Sequence, residues 1–403
     1  MKFRSTYRSL ALIFVLITTF SLTAYAFKWP WEKDKNVGFT DTEVVIGSHT
    51  DLSGPAASIG VPQKSGMELK VKQINEAGGV HGRKIRLVVE DSGYNPAQAI
   101  TVTNKMINQD KVFAFVANLG TPTGLATKPI ISGKKIPQLM PLSSASAFFD
   151  PVDRYSFLGS APYYDQARVL VNYFVKKGHK RFGVLYQDDE MGAIMLKGIN
   201  DELTKHGLKL IAKESYKRGA TVFSTQVMKL KKADIDFLVL ATVVRETVGT
   251  LAEAKKLQWD IKMGGMSPAY SAYIPYLASK IGISADGLFA TGPLPFVYPD
   301  DPNPKSRAFY KDFQEMFGKA PDIFAVYGYL NTSIFIEALR RTGKDLSREK
   351  FVDTLESFSY EDDTFTAVPI SFSKTDHKGV DQAFILEVQK GRWMLVEGPV
   401  SYK

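Results

Sequence analysis

Cysteine is absent from the 403 residues, which excludes disulfide scaffolds, thiol catalysis, iron–sulfur clusters and cysteine-ligated zinc together. Histidine is scarce. His49, His81, His179, His206 and His377 are scattered without a His-x3-His or His-Glu pairing, so no metal site is expected. No G-x-x-x-x-G-K-S/T run is present, and the chain therefore carries no P-loop for ATP. Lys and Arg outnumber Asp and Glu by 51 to 42, yet no run of five or more basic residues gathers the formal charge of +9 into one footprint. That surplus reads as a solvated surface, and no nucleic-acid partner is expected. The segment Gly265-Met266-Ser267-Pro268-Ala269 falls short of a nucleophile elbow, because the second glycine is missing and the proline after the serine cannot donate the oxyanion N–H. Gly78-Gly79-Val80-His81-Gly82 follows a helical pattern and precedes a strand, the reverse of a dinucleotide fingerprint, and reads as a C-cap and turn. No catalytic residue and no cofactor follow from these motifs, and nothing supports an enzyme.

An uninterrupted apolar run of the roughly 20 residues that span a bilayer is missing too. The apolar stretch over residues 10–20 contains Thr18 and Thr19 and is followed by Ser21 and Thr23. With Lys2, Arg4 and Arg8 before it and Ala24-Tyr25-Ala26 after it, the stretch predicts a signal peptide over 1–26, cleaved after Ala26. No cysteine stands near the cleavage point to be lipidated, so the mature chain is expected as a free protein outside the inner membrane, with no membrane insertion. Residues 27–40 read as a loose leader.

What remains is a globular composition, 44% hydrophobic and 23% charged, long enough for two to three domains at about 150 residues each. Strand and helix patterns alternate. Strands are predicted at 43–48, 85–90, 112–117 and 136–140, with Asn95-Pro96 and Thr121-Pro122 as helix starts by the cap-plus-proline rule. A second series follows, with strands at 181–186, 208–213, 236–241 and 262–265 separated by helical patterns. Two βαβ runs of similar length predict an α/β protein of two Rossmann-like lobes with parallel central sheets. The remainder (a strand at 287–291, a Pro-rich connection at 293–304, helices near 305–317 and 325–341, and a hairpin around Gly391) is too little for a third lobe. It must complete the first two, so the chain is expected to cross between lobes more than once and form a multi-strand hinge.

In open α/β sheets, ligands sit beyond the carboxyl ends of the strands. There the sequence places Asn118-Leu119-Gly120-Thr121-Pro122-Thr123-Gly124 and Pro141-Leu142-Ser143-Ser144-Ala145-Ser146, two loops of hydroxyls and small residues, the first opening a helix whose free N–H groups favour an anion. Together they could clasp a carboxylate with neutral donors; alternatively Thr121 and Ser143 merely cap helices.

The ordered set Asp51-Leu52-Ser53-Gly54-Pro55, Gly66, Ile74-Asn75-Glu76-Ala77-Gly78-Gly79-Val80-His81-Gly82-Arg83 and Glu90-Asp91-Ser92 resembles periplasmic leucine/isoleucine/valine-type binding proteins of ABC importers, over about 42–403. The resemblance implies a type I two-lobed fold that closes on a ligand, with lobe 1 at 41–160 plus 292–366 and lobe 2 at 161–291 plus 367–403. It also implies a periplasmic protein, monomeric, that delivers a small molecule to permease and ATPase subunits. Leu119, Gly120 and Thr121, with Leu142, Ser143 and Ser144, match the loops that hold an amino acid's α-carboxylate in that family. The ammonium side departs from the pattern. Where leucine binders place an acidic residue after a Gly-Pro step this chain reads Gly265-Met266-Ser267, and a framing aromatic falls near Val243. A buried ammonium without a countercharge is costly, so a carboxylate lacking a required amine is favoured over an α-amino acid. Ile59, Met191, Val243, Met266 and Phe324 are the apolar lining candidates, Ser267 is a further lining candidate on the ammonium side, and Tyr163, Tyr164 and Tyr270 fall near the lobe crossings. The run Ala161-Pro162-Tyr163-Tyr164-Asp165-Gln166 resembles a subgroup that takes aromatic carboxylates. Arg245 could pair with the carboxylate or with a lobe-1 acid such as Asp51, or equally stand on the surface. A ligand-sensing receptor module is the alternative, and an extracytoplasmic hydrolase a more distant one.

Overall fold

The computed structural model describes residues 37–365 and 367–402. The signal peptide, its cleavage point and most of the leader fall outside the described residues. Gly38 and Phe39, read as leader, already belong to the fold: the Val45 N–H donates to the Gly38 carbonyl at 2.8 Å, and the Phe39 ring meets Phe113 edge-on.

The first apolar run forms β1 (Glu43–Thr50), buried from Val44 onward. It is followed by α1 (Ala57–Glu76), β2 (Lys84–Asp91), α2 (Pro96–Asn108), β3 (Ala114–Val116), α3 (Thr121–Gly133), β4 (Gln138–Leu139) and β5 (Ser156–Phe157). These five strands make a parallel sheet in the order β2-β1-β3-β4-β5. Alternate residues of β1 enter different clusters, Val44 and Ile46 with Met67 and Leu69 of α1, Val45 with Val102 and Met106 of α2. The strand is therefore covered on both faces, which is why its sequence is continuously apolar. Asn95 caps α2 as expected, accepting from the Ala97 and Gln98 N–H groups.

The second series comprises α4 (Tyr163–Lys176), β6 (Phe182–Gln187), α5 (Glu190–Lys205), β7 (Ala212–Tyr216), α6 (Ser224–Lys232), β8 (Phe237–Ala241), α7 (Val244–Lys256), β9 (Lys262–Gly265), α8 (Tyr273–Lys280) and β10 (Leu288–Gly292). The remaining elements are α9 (Pro304–Phe317), α10 (Ile323–Thr342), α11 (Arg348–Leu355), the short pair β11 (Ser359–Tyr360) and β12 (Ile370–Ser371), and the hairpin β13 (Gln382–Gln389) and β14 (Arg392–Ser401). The second sheet runs β14-β13-β10-β9-β8-β6-β7; its five parallel strands are extended by the antiparallel hairpin. The fold is thus α/β in two lobes, one on each sheet.

Strand β7 starts four residues later than the periodicity predicts. Gly207 turns left-handed at φ +69° after α5, and the Leu208 N–H folds back to the Leu203 carbonyl at 2.9 Å, so Leu208 belongs to the helix's closing turn.

The chain leaves the first sheet after β5, leaves the second after β10, and returns to it at β13. In between, α10 lies across α1, and α11 sets Phe351 against Phe113 at the start of β3. Two of the crossing segments pair in parallel: the Leu158 N–H donates to the His377 carbonyl (3.0 Å) and the Gly379 N–H to the Leu158 carbonyl (2.8 Å). Where α1 and α10 cross, glycine faces backbone on both helices. A Cβ on Gly66 would stand 1.9 Å from the Ala325 carbonyl oxygen, and one on Gly328 2.0 Å from that of Gln63. Only hydrogen fits at either place.

Candidate functional site

The two small-residue loops gather where β1, flanked by β2 and β3, reverses the strand order, the place where ligands sit in open α/β sheets. The parallel pairing outlasts β3 and β4. Leu119 bridges Leu142, the Gly120 N–H donates to the Leu142 carbonyl (3.1 Å), and the Leu142 N–H donates to that of Asn118 (2.8 Å), which clamps the two small-residue loops together. Gly120 sits at φ +102°, where a Cβ would meet Thr123 Oγ1 at 2.4 Å and the Tyr94 ring at 2.6 Å. After β1, Asp51 accepts from the Gly54 and Ala56 N–H groups (2.5 and 2.7 Å) and fixes the turn that presents Ala56 and Ile59.

These loops open onto a cavity of about 90 Å³ between the lobes, several times the roughly 10–15 Å³ that one water needs. Its wall contains Ile59, the Leu119-Gly120-Thr121 loop, the Leu142-Ser143-Ser144 loop, Tyr163 at the start of α4, Met191 in α5, Val243 before α7, Ser267 after β9 and Phe324 in α10. Sequence reasoning had selected each of these. Thr121 is no cap: it is the first residue of α3, no side chain caps that helix, and its hydroxyl lies 2.9 Å from Ser143 Oγ. Ser144 Oγ lies 2.8 Å from Ser160 Oγ. Burial pushes the Tyr163 phenol up to about 12, while the Ser144 N–H and the Thr121 hydroxyl beside its oxygen act the other way. The result is a patch of neutral hydroxyls and N–H groups at the N-terminus of a helix, suited to a carboxylate.

Among the described residues, no acidic or basic side chain lines this cavity. Asp189, nearby at the start of α5, is committed elsewhere. It caps α5 through the Met191 and Gly192 N–H groups, accepts from Gln187 Nε2 at 2.5 Å, and stands 3.7 Å from Arg218. Burial raises its carboxyl above the ordinary range.

Three expected residues are not in the wall. Arg245, on the first turn of α7, directs its guanidinium to Glu246 (2.8 Å) and the Ala220 carbonyl (3.3 Å). Asp51 is occupied by its own loop, so the two do not pair. Met266 is fully buried in the core. Tyr270 is wedged among Trp393 and Phe296, with ring centroids at 5.1 and 5.8 Å. Tyr164 points outward to Asp201.

Other wall residues escaped the sequence reading. Tyr94 follows β2, and the strand-end rule that selected the other loops applies equally to it. Its hydroxyl accepts from Gln187 Nε2 (3.3 Å) and its carbonyl from Arg218 (3.4 Å), which joins the lobes across the cleft. Tyr327, Leu330 and Asn331 lie along α10. Behind the wall, buried Gln166 ties three segments: its Oε1 accepts from the Ser267 N–H (2.9 Å), and its Nε2 donates to the Ala161 carbonyl (2.7 Å) and, at 3.4 Å, to Ser144 Oγ. Replacing Gln166 with leucine strands these groups and is expected to lower unfolding free energy by about 2–3 kcal/mol. Urea denaturation checks this, and an unchanged midpoint would refute the role.

The model of the periplasmic binding protein family matches residues 43–392. The leucine-, isoleucine-, valine-, threonine- and alanine-binding protein of Pseudomonas aeruginosa is 24% identical over 314 residues, 78% of this chain and 82% of that protein. Among solved structures, the fatty acid ABC transporter substrate-binding protein from Thermomonospora curvata superposes with a TM-score of 0.82 at 22% identity, covering 92% of this chain and 95% of that one. A solute-binding protein of an ABC transporter from R. palustris in complex with benzoate gives a TM-score of 0.77 at 18% identity, covering 88% and 95%. From the extent of the family match, on a fold and cleft of this kind, the chain belongs to the periplasmic binding proteins, a family of solute binders and not of enzymes.

Proposed function

We propose that this periplasmic binding protein serves an ABC importer by capturing a small apolar carboxylate, with no amine required, in the interlobe cavity. The observation that carries the reading is the uncharged wall: Thr121, Ser143, Ser144 and Tyr163 offer neutral donors to a carboxylate, whereas an ammonium brought there would be buried without a countercharge. Ile59, Met191, Val243, Phe324 and Leu330 supply an apolar surround. Solute binders of this fold include one crystallised with benzoate and one described as serving a fatty acid transporter.

In the proposed cycle the lobes comprise 41–160 plus 292–366 and 161–291 plus 367–403. The ligand binds one lobe, bridges to the other, and shifts the population toward the closed form by its higher affinity for that form. The closed monomer then presents a composite surface to the permease, and the partner ATPase subunits hydrolyse the nucleotide. The chain is exported by its signal peptide, which is cleaved after about Ala26.

Thermal-shift and calorimetric titration compares leucine and valine with benzoate and hexanoate. The two amine-free carboxylates are expected to raise the melting temperature by mass action. Leucine binding with benzoate inert would overturn the reading. Ser144→Ala and Thr121→Val are each expected to weaken benzoate about tenfold or more, since a hydrogen bond to a charged group contributes roughly 1.5–3 kcal/mol.

A further inference from the structure

We propose that the α10 wall holds a second polar subsite, formed by Tyr327 and Asn331, that reads a hydroxyl group carried by the ligand away from its carboxylate. This rests on the carboxylate reading above and narrows it to a hydroxylated apolar carboxylate.

Tyr327 lines the cavity and is 8% exposed, and its hydroxyl has no hydrogen-bond partner among the described residues. A buried hydroxyl left unpaired disfavours the folded state, and phenylalanine would fill the same space without that penalty. Of the polar groups near it, the Tyr270 hydroxyl is buried outside the cavity wall and likewise has no partner among the described residues, whereas Asp322 and Tyr163 are engaged. Asp322 takes Ser271 Oγ and the Ala272 N–H on one oxygen and the Phe324 N–H on the other. The Tyr163 phenol lies with the Thr121 hydroxyl and the Ser144 N–H.

One helical turn after Tyr327, on the same face, Asn331 also lines the cavity. Its Nδ2 donates to the Met140 carbonyl at 3.3 Å, which leaves Oδ1 as an acceptor. An O–H donor and a carbonyl acceptor four residues apart match a hydroxyl, which accepts one hydrogen bond and donates another. A site built in this way discriminates against an analogue lacking the group more sharply than an apolar pocket discriminates by size.

Calorimetry on the full-length protein and on Tyr327→Phe tests the subsite with benzoate, 3-hydroxybenzoate, 4-hydroxybenzoate, hexanoate and 6-hydroxyhexanoate. At least one hydroxylated probe is expected to bind the wild type tenfold or more tightly than its parent. In Tyr327→Phe that ratio is expected to fall to about one. The ligand-free variant is expected to melt at or above the wild-type temperature. Parents binding as tightly as every hydroxylated probe, a preference surviving in Tyr327→Phe, or a clearly less stable ligand-free variant would each overturn the subsite. Plain and hydroxylated carboxylates all failing to bind the wild type would refute the carboxylate reading, and the subsite with it.

Discussion

Gly328→Ala is expected to lower unfolding free energy by about 3 kcal/mol or more, one of the largest single-methyl effects available in this chain. The added Cβ would lie 2.0 Å from the Gln63 carbonyl oxygen, 2.9 Å from its carbon and 3.1 Å from the Met67 nitrogen. All three are backbone atoms of α1, so no rotamer change relieves the clash and the helices must separate. Gly66 faces the Ala325 carbonyl from the other side at 1.9 Å, which blocks a simple slide of one helix past the other. Because Phe324, Tyr327 and Asn331 ride on α10 and Ile59 on α1, ligand affinity should fall with stability. Gly133→Ala is the control: nothing lies within 4 Å of its Cβ, and replacing glycine in a helix should be neutral or slightly stabilising. Urea midpoints of the two variants decide the matter, and equal midpoints would show that the crossing is softer than its geometry indicates.

The second large effect belongs to Asp322. It caps α10 through the Phe324 N–H (3.0 Å) and reaches into the other lobe to hold Ser271 Oγ and the Ala272 N–H, both at 2.8 Å. Asp322→Ala removes a cap and orphans buried donors, at an expected cost of about 3–5 kcal/mol near neutral pH. Burial raises the Asp322 carboxyl to about 6. Between about pH 4 and 6 the folded state therefore holds a proton that the unfolded chain has released, and this group adds stability as pH falls through that window. His49, buried beside Thr127, is the opposite case: burial lowers it to about 3, so the unfolded chain binds the proton first and stability is lost as pH falls below about 6.5. In wild type the two trends oppose each other. Asp322→Asn keeps an acceptor but abolishes the titration, so its loss of stability from pH 6 to 4 is expected to exceed that of wild type by up to about 3 kcal/mol. His49→Gln should flatten the same profile. Parallel profiles for all three proteins would refute the assignment.

Much of this was legible in the sequence for definite reasons. The continuous apolar run of β1 signals a strand covered on both faces, and Asn95-Pro96 is a cap whose chemistry is entirely local. The loops at 119–121 and 142–144 could be found because the strand-end rule depends only on strand order. Strands β5, β11 and β12, at two residues each, were not legible; a pair so short exists through its tertiary neighbours and leaves no period in the chain. Thr121 illustrates a local signal overridden at long range, its hydroxyl drawn from a capping position to Ser143. Arg245 does not reach Asp51, because its adjacent glutamate offers a nearer partner. Tyr327 gave no signal. Helix α10 is buried on nearly every side, so nothing in its sequence separates the face that meets the cavity from the face that meets α1.

That no charged side chain lines the cavity, among the described residues, also bears on kinetics. Added sodium chloride, which weakens recognition wherever paired charges carry the affinity, has little here to screen, so retention of a guest should persist across dilute and briny surroundings alike. The wall itself supplies no ionic guidance, so any steering of an anion falls to the surface surplus of Lys and Arg, and discrimination among arrivals rests on how slowly the right one escapes.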